Sequence, residues 1–174
     1  DMSPQGENLD AHIGRKYGAS PQQLAASREA VRERAASVGF GFNSSATSHV
    51  YNTFDAHRLL HWAGTQGRQR ELKKILFRAN FTDDANVASP DVLVALAVEA
   101  GLDGAEARAV LDSGRYTAEV RAAEQLWQSR GINSVPGIII NGKWLISGGQ
   151  PPEVFEQALR EIARQSAAGQ GSNG

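Results

Sequence analysis

Few residues of this sequence have types and spacing that could support chemistry. His57 and His61 are four residues apart, a spacing at which two helical histidines can bind one metal ion. Arg58 stands where such metal sites carry a glutamate, and its positive charge opposes a cation, so we expect no metal site here. The 174 residues contain no cysteine, which excludes a thiolate nucleophile, a thiolate metal site and a disulfide within them. We therefore expect no catalytic residue in this chain.

Composition and charge narrow the function classes further. Hydrophobic residues make up 41% of the chain and charged residues 21%, as in ordinary globular domains, and the net charge is −1. The basic run from Arg68 to Arg78 is interpreted as a solvated helix face, so we expect no nucleic acid as a partner. No apolar run is long enough to span a membrane. We expect a cytoplasmic protein unless a targeting signal precedes Asp1.

Most of the predicted elements that could position a functional site are helices. Residues 1–6 predict an irregular lead-in, and residues 7–131 predict a series of helices, the first running from Glu7 to Tyr17. Ser20-Pro21 and Ser89-Pro90 are two helix starts in which a capping serine precedes proline at the first helical position. Apolar residues then recur at helical spacing, and this pattern predicts an all-α region of about 125 residues.

The pattern changes to a short β-hairpin after residue 131. Ile138-Ile139-Ile140 and Trp144-Leu145-Ile146 flank Asn141-Gly142, a strong signal for a two-residue turn. Pro151-Pro152 opens a last helix, with Phe155, Ala158, Leu159 and Ile162 predicted to be buried. We take residues 132–165 as one C-terminal part and predict disorder over residues 166–174. All three tryptophans are predicted to lie in the core.

The apolar strand from Ile138 to Ile140 needs cover on both faces, which is typical of a central strand. Only one neighbouring strand is evident in the sequence. We therefore expect that residues preceding Asp1 supply another strand. If the edge is open instead, we expect a homo-oligomer formed through it, because unpaired apolar edges associate.

Two stretches carry a family resemblance. The stretch over residues 131–155 is GINSVPGIIINGKWLISGGQPPEVF, and the stretch over residues 52–63 is NTFDAHRLLHWA. Together with DMSPQG at residues 1–6, they closely resemble the DsbA-like thiol–disulfide oxidoreductases of the FrnE type. The resemblance implies an α/β thioredoxin-like fold split by a large all-α insertion, with the cis-proline, hairpin and last helix at its end. It also implies that the first strands and a Cys-x-x-Cys helix lie before Asp1.

In that family, the residue before the cis-proline offers its backbone to a bound peptide or thiol, and the proline packs against the cysteine pair. By resemblance these two are Val135 and Pro136, which form the substrate-facing wall of the active site. Asn52, Thr53 and His57 border the same cleft in this interpretation. The implied reaction is thiol–disulfide exchange with a protein substrate or a small thiol, without a cofactor.

Two other functions remain open. One is a glutathione-dependent isomerase or transferase of the same fold, of the 2-hydroxychromene-2-carboxylate or kappa-class type, which would use glutathione and a serine in place of the first cysteine. Its usual pattern after the second hairpin strand is Asp-Arg-Leu-like, and Gly149-Gln150-Pro151-Pro152 departs from it. The other is a non-catalytic binding module. The residues before Asp1 would separate the three: Cys-x-x-Cys, a lone serine, or neither.

Overall fold

A computed structural model of the chain describes Ser3, residues 5–132 and residues 135–170, with backbone only for 167–170. Residues 1, 2 and 4 of the predicted lead-in lie outside the described residues. The chain divides into two compact units, Asp1–Arg121 and Ala122–Gly174. The division falls earlier than the predicted boundary at residue 131.

Seven helices and one pair of very short strands lie wholly or partly in the first unit. In chain order they are β1 (Glu7–Asn8), α1 (Leu9–Tyr17), α2 (Pro21–Ser37), β2 (His49–Val50), α3 (Phe54–Thr65), α4 (Gln69–Phe81), α5 (Pro90–Glu99), α6 (Gly104–Asp112) and α7 (Thr117–Ser129), whose second half belongs to the other unit.

Local capping explains where several of these helices begin. The Ser20 hydroxyl accepts a hydrogen bond from the backbone N–H of Gln23, and the Gln23 side chain accepts one from the N–H of Ser20, so α2 begins with a complete capping box. The Asp103 carboxylate accepts the N–H of Glu106 at 2.7 Å at the start of α6. The serine before α5 makes no side-chain cap, so there Pro90 alone pre-sets the first turn.

The core of the first unit lies among α3, α4, α5 and α6, which pack against one another. Leu59, Leu72, Leu93 and Val110 are fully buried and come from one helix each. Each sits on the apolar stripe of its helix, since the other buried residues follow at three- or four-residue spacing. The helical prediction for this region is confirmed in its elements.

The start of the first unit differs from the prediction. Glu7 and Asn8 form strand β1, which pairs with β2 in antiparallel register, Glu7 with Val50 and Asn8 with His49. Helix α1 therefore begins at Leu9 rather than at Glu7, and the prediction of an all-α region is wrong by this one strand pair. The Asn8 side chain accepts the N–H of Ala11 as the helix cap, which ends the strand.

The second unit contains the end of α7, strands β3 (Gly137–Ile140) and β4 (Trp144–Ser147), and helix α8 (Pro152–Gln170). The two strands pair antiparallel from Gly137 with Ser147 to Ile140 with Trp144. Asn141 and Gly142 both have positive φ, at 51° and 67°, as predicted for this turn. The connection is one residue longer than predicted, because Lys143 donates its N–H to the Ile140 carbonyl at 3.1 Å and stays outside the ladder.

The hairpin has two unlike faces. Ile138, Ile140, Trp144 and Ile146 are half-buried on one face, whereas the cross-strand pair Ile139 and Leu145 is 37% and 46% exposed on the other. Among the described residues, β3 has β4 as its single neighbour. The strand therefore offers a free edge and an apolar pair to solvent in the part of the chain that the structure describes.

Three predictions for the second unit need correction. Trp127 is 40% exposed rather than in a core, and the Arg130 guanidinium lies over its ring. Leu159 is 50% exposed, while Ile162 is buried as predicted. Helix α8 continues to Gln170, so the disorder predicted from Ser166 is wrong for residues 166–170, where alanine favours helix. The remaining tail, 171–174, lies outside the described residues.

Candidate functional site

The Val135-Pro136 pair lies where the backbone enters strand β3. The peptide bond between the two residues is cis. The Pro136 carbonyl accepts the N–H of Gly148 at 2.8 Å, one step beyond the Gly137–Ser147 pair of the ladder. Gly148 has a φ of 80°, which a residue with a side chain rarely adopts. The far end of the hairpin therefore holds the proline in place through a backbone hydrogen bond.

Val135 is the most exposed large apolar residue of the described chain, at 91%. Within the described residues, neither its N–H nor its carbonyl takes part in a hydrogen bond. A backbone with both groups free can pair with an extended peptide, as an edge strand does. This position can therefore bind a polypeptide through main-chain atoms, with little dependence on the sequence of the bound segment.

The other predicted site residues lie at the beginning of α3. The Asn52 side chain accepts the N–H of Phe54 at 3.0 Å and so caps the helix, whereas Thr53 makes no side-chain cap. Asn52, Thr53 and His57 are all exposed. They belong to the first compact unit, while Val135 and Pro136 belong to the second. That all five residues border one cleft stays a prediction.

The two histidines of α3 have different surroundings. His57 is exposed, and His61 is half-buried with its ring centroid 4.9 Å from that of Tyr116. Across the described residues, no group of three histidine, aspartate or glutamate side chains is placed to hold a metal ion. No helix in this part of the chain combines the length and apolar character needed to cross a membrane.

The basic residues from Arg68 to Arg78 differ in their ion pairs and exposure. Arg78 bonds to both carboxylate oxygens of Glu99, at 2.8 and 2.7 Å, and to Asp83 at 3.2 Å. Arg70, Lys73 and Lys74 are exposed on α4. One positive charge of this helix, that of Arg78, is therefore paired with carboxylates within the fold. The interpretation of the helix as a solvated face stays a prediction.

Comparison with known proteins gives the family. A family model described as the DsbA-like thioredoxin domain matches residues 4–160, which covers α1 to α7, the hairpin and about half of α8. The chain belongs to the DsbA-like thioredoxin family. Its fold is therefore the helix-rich, thioredoxin-like α/β fold that the resemblance implied. Neither the family model nor the relatives below distinguish the FrnE type, which stays a prediction.

Two relatives extend this finding. The crystal structure of a probable DsbA oxidoreductase from Streptomyces coelicolor superimposes with a TM-score of 0.84 at 36% sequence identity, covering 92% of this chain and 69% of that one. The uncharacterized protein YwbO of Bacillus subtilis (strain 168) is 30% identical over 118 residues, or 67% of this chain. The matched region spans 58% of the length of YwbO.

One residue that organises this DsbA-like chain was not singled out from sequence. Arg58 is 4% exposed, and its guanidinium donates to the carbonyls of Val110, Leu111 and Arg115. The signal was present, since an arginine stands inside an apolar helical stretch. Sequence patterning cannot tell which carbonyl groups such a side chain will meet, because they lie more than fifty residues away.

Proposed function

We propose that this chain forms the substrate-facing part of a thiol–disulfide oxidoreductase of the DsbA type. The observation that carries the proposal is the exposed Val135 directly before Pro136, whose backbone N–H and carbonyl have no hydrogen bond to any described residue, in a chain of this family. We propose that the reacting cysteine pair lies on a part of the protein preceding Asp1, because the 174 residues contain no cysteine.

The proposed reaction is thiol–disulfide exchange. A cysteine thiolate attacks one sulfur of a substrate disulfide, forms a mixed disulfide and releases the other substrate sulfur as a thiol. The second cysteine of the pair then attacks the mixed disulfide and releases the second substrate thiol. The substrate is thereby reduced and the pair is oxidised. The reverse sequence oxidises a substrate dithiol.

The role of this chain is to hold the substrate. An extended segment that carries the reacting cysteine pairs with the N–H and carbonyl of Val135, and the bond from Gly148 to Pro136 keeps this stretch of backbone rigid. Main-chain pairing tolerates many side chains, so the class of substrate is a cysteine-containing polypeptide. A small thiol would use the same position with fewer contacts.

The first test is an insulin-reduction assay on the 174-residue chain and on a longer polypeptide that includes the preceding residues of its gene. The chain alone is expected to show no turnover, because only a thiolate can perform the exchange. The longer protein is expected to be active and to carry Cys-x-x-Cys. Turnover by the chain alone would overturn the proposal. If the longer protein carries a serine in place of the first cysteine and has glutathione-dependent isomerase activity, the alternative enzyme is favoured. If it carries neither Cys-x-x-Cys nor that serine, a binding module is favoured.

Substitution of Val135 in the longer protein tests the binding role. Val135→Pro removes the N–H donor, whereas Val135→Ala keeps it and removes only exposed side-chain atoms. We expect KM for a peptide disulfide to rise about tenfold in the proline variant, the cost of one hydrogen bond left unmade, and to stay within about twofold in the alanine variant. Equal KM values in the two variants would contradict pairing through Val135.

A further inference from the structure

The first compact unit contains a cavity whose lining residues all belong to that unit. Its volume is about 410 Å³, and its walls come from the end of α3, the start of α4 and the turn that leads into α6. This volume lies in the range of small-molecule sites, roughly 300–1,000 Å³. Trp62 and Leu102 supply its apolar wall, and Arg68, Asp103, Glu106 and Arg115 supply charged groups.

The charges around the cavity do not cancel in pairs. Arg115 is bonded to Glu106 at 2.5 Å, and one Asp103 oxygen accepts the N–H of Glu106 at the N-terminus of α6, where the helix dipole offsets negative charge. Arg68 forms no ion pair within the described residues. Its guanidinium lies against Gly101, since a Cβ placed there would stand 3.8 Å from the Arg68 Cζ. The lining carries two arginines and two carboxylates, and Arg68 is the arginine among them without an ion-pair partner in the described part of the chain.

Trp62 adds a hydrogen-bond donor. Its side chain is only 3% exposed, and no acceptor for its indole N–H is found among the described residues. Every fully buried side-chain nitrogen or oxygen in the described part of the chain has a hydrogen-bond partner. The Trp62 indole nitrogen has none there, so it is not fully buried and solvent can reach it. Because Trp62 borders the cavity, we place the N–H at its wall.

The part of the cavity wall that Arg115 forms is held by several hydrogen bonds. Tyr116 has a φ of 64°, unusual for an aromatic residue, directly after Arg115. The Arg115 carbonyl accepts a bond from the buried Arg58 at 2.8 Å, and the Arg115 side chain bonds to Glu106 and to the Tyr116 hydroxyl. The backbone and side chain of Arg115 are thus both held by hydrogen bonds, and its guanidinium is the ion-pair partner of Glu106.

We propose that this cavity binds a small molecule that carries a carboxylate or phosphate group, with Arg68 as the charge partner and the Trp62 indole N–H as a hydrogen-bond donor. The site is separate from the proposed disulfide chemistry and does not depend on it. Within the described residues, neither the Arg68 guanidinium nor the Trp62 indole N–H has an acceptor, and an oxyanion bound in the cavity would accept from both.

The test uses the indole N–H resonances of the 174-residue chain, which has three tryptophans. Trp127→Phe and Trp144→Phe variants assign the Trp62 signal. The probes are inorganic phosphate and citrate, each compared with sodium chloride at equal ionic strength. We expect a saturable shift of the Trp62 resonance with phosphate or with citrate, and the probe that binds identifies the group. No saturable shift, or the same shift with chloride, would overturn the proposal.

Two substitutions are expected to change the affinity in opposite directions. Arg68→Gln should weaken binding about tenfold, whereas Arg70→Gln, which removes an exposed arginine of α4 that does not line the cavity, should change it less than about twofold. Glu106→Gln frees Arg115 from its carboxylate and should tighten binding severalfold. Unchanged affinity in the Arg68 variant, or weaker binding in the Glu106 variant, would contradict the assignment.

Discussion

Arg58 shows how one buried charge can join three helices. It extends from α3 and donates to the carbonyls of Val110 and Leu111 in the last turn of α6, where helix carbonyls lose part of their intrahelical bonding. Its Nε bonds to the carbonyl of Arg115, just before α7, and its charge is balanced by Asp55 at 2.7 Å. A guanidinium suits this place because it has five donors in a fixed plane.

Replacing Arg58 should therefore be costly. We expect Arg58→Met to lower the free energy of unfolding by about 3 kcal/mol, since several buried carbonyls lose their donor. Arg58→Lys should recover only part of this loss, because an ammonium cannot reach the same carbonyls in one plane. Urea denaturation measures the change. The matched control is Arg70→Met at an exposed position of α4, expected to stay within about 0.5 kcal/mol. Equal effects at the two positions would contradict the capping role.

At the scale of elements, α4 and α5 are tied by a charged pair at their exposed side. Glu99 at the end of α5 accepts two bonds from Arg78 near the end of α4. The hydrogen bond from Arg78, followed by its charge, lowers the pKa of Glu99 below the usual value of a glutamate. The unfolded chain therefore binds a proton at this residue at a higher pH than the folded chain does.

The stabilisation that the Arg78–Glu99 pair gives the folded chain should decrease as the pH is lowered. It is fully present above the usual glutamate pKa, about 4.3, and is lost as the pH falls through the lower pKa of the folded state. We expect the difference in unfolding free energy between the chain and Glu99→Gln to be constant near neutral pH and to shrink towards zero in acid. Denaturation at a series of pH values measures it.

The matched control is Glu71→Gln on α4, because Glu71 forms no ion pair in the described structure. At neutral pH its effect on the free energy of unfolding should stay within about 0.5 kcal/mol. A Glu99→Gln difference that stays constant down to pH values well below 4 would contradict the role of Arg78.

At the scale of the whole molecule, the apolar core is unevenly distributed. Seventeen of the eighteen buried hydrophobic residues lie in the first unit, and Ile162 is the one in the second, counted over the described chain. The second unit also exposes Leu126, Trp127, Val135, Ile139, Leu145, Val154 and Leu159. Regions with few buried apolar side chains open with a lower free energy.

We therefore expect hydrogen exchange of the 174-residue chain to be slowest in α3, α4 and α6 and fastest in β3, β4 and α8, read out amide by amide. Leu72→Ala should cost about 2–5 kcal/mol and speed exchange throughout the four-helix core, because it leaves a cavity there. A polar change in the second unit, Glu153→Gln, should leave core exchange unaltered. Comparable protection in α8 and α4 would show that the second unit is more stable than its burial indicates.

The sequence by itself determined most of the helices and the hairpin, because these depend on local spacing, and the resemblance of whole stretches of it to DsbA-like proteins indicated the family. Ser-Pro starts, apolar stripes and the Asn141-Gly142 turn act over a few residues, and they were sufficient. The strand pair β1–β2 was missed because its two strands are two residues each and forty residues apart, too short for any periodicity. Trp127 was misplaced because an apolar stripe shows which face of a helix can be buried, not whether anything covers it.

Val135 and Pro136 were assigned to the substrate-facing wall from the family resemblance, and that role stays a prediction. The role of Arg58 and the cavity beside Trp62 were decided by tertiary structure alone. Each depends on groups brought together from distant parts of the chain: carbonyls of α6 around a side chain of α3, and the Arg68 guanidinium beside Gly101. Hydrogen bonds and ion pairs form over a few ångströms in space, and no pattern along the chain records which distant groups will satisfy one another and which will stay free.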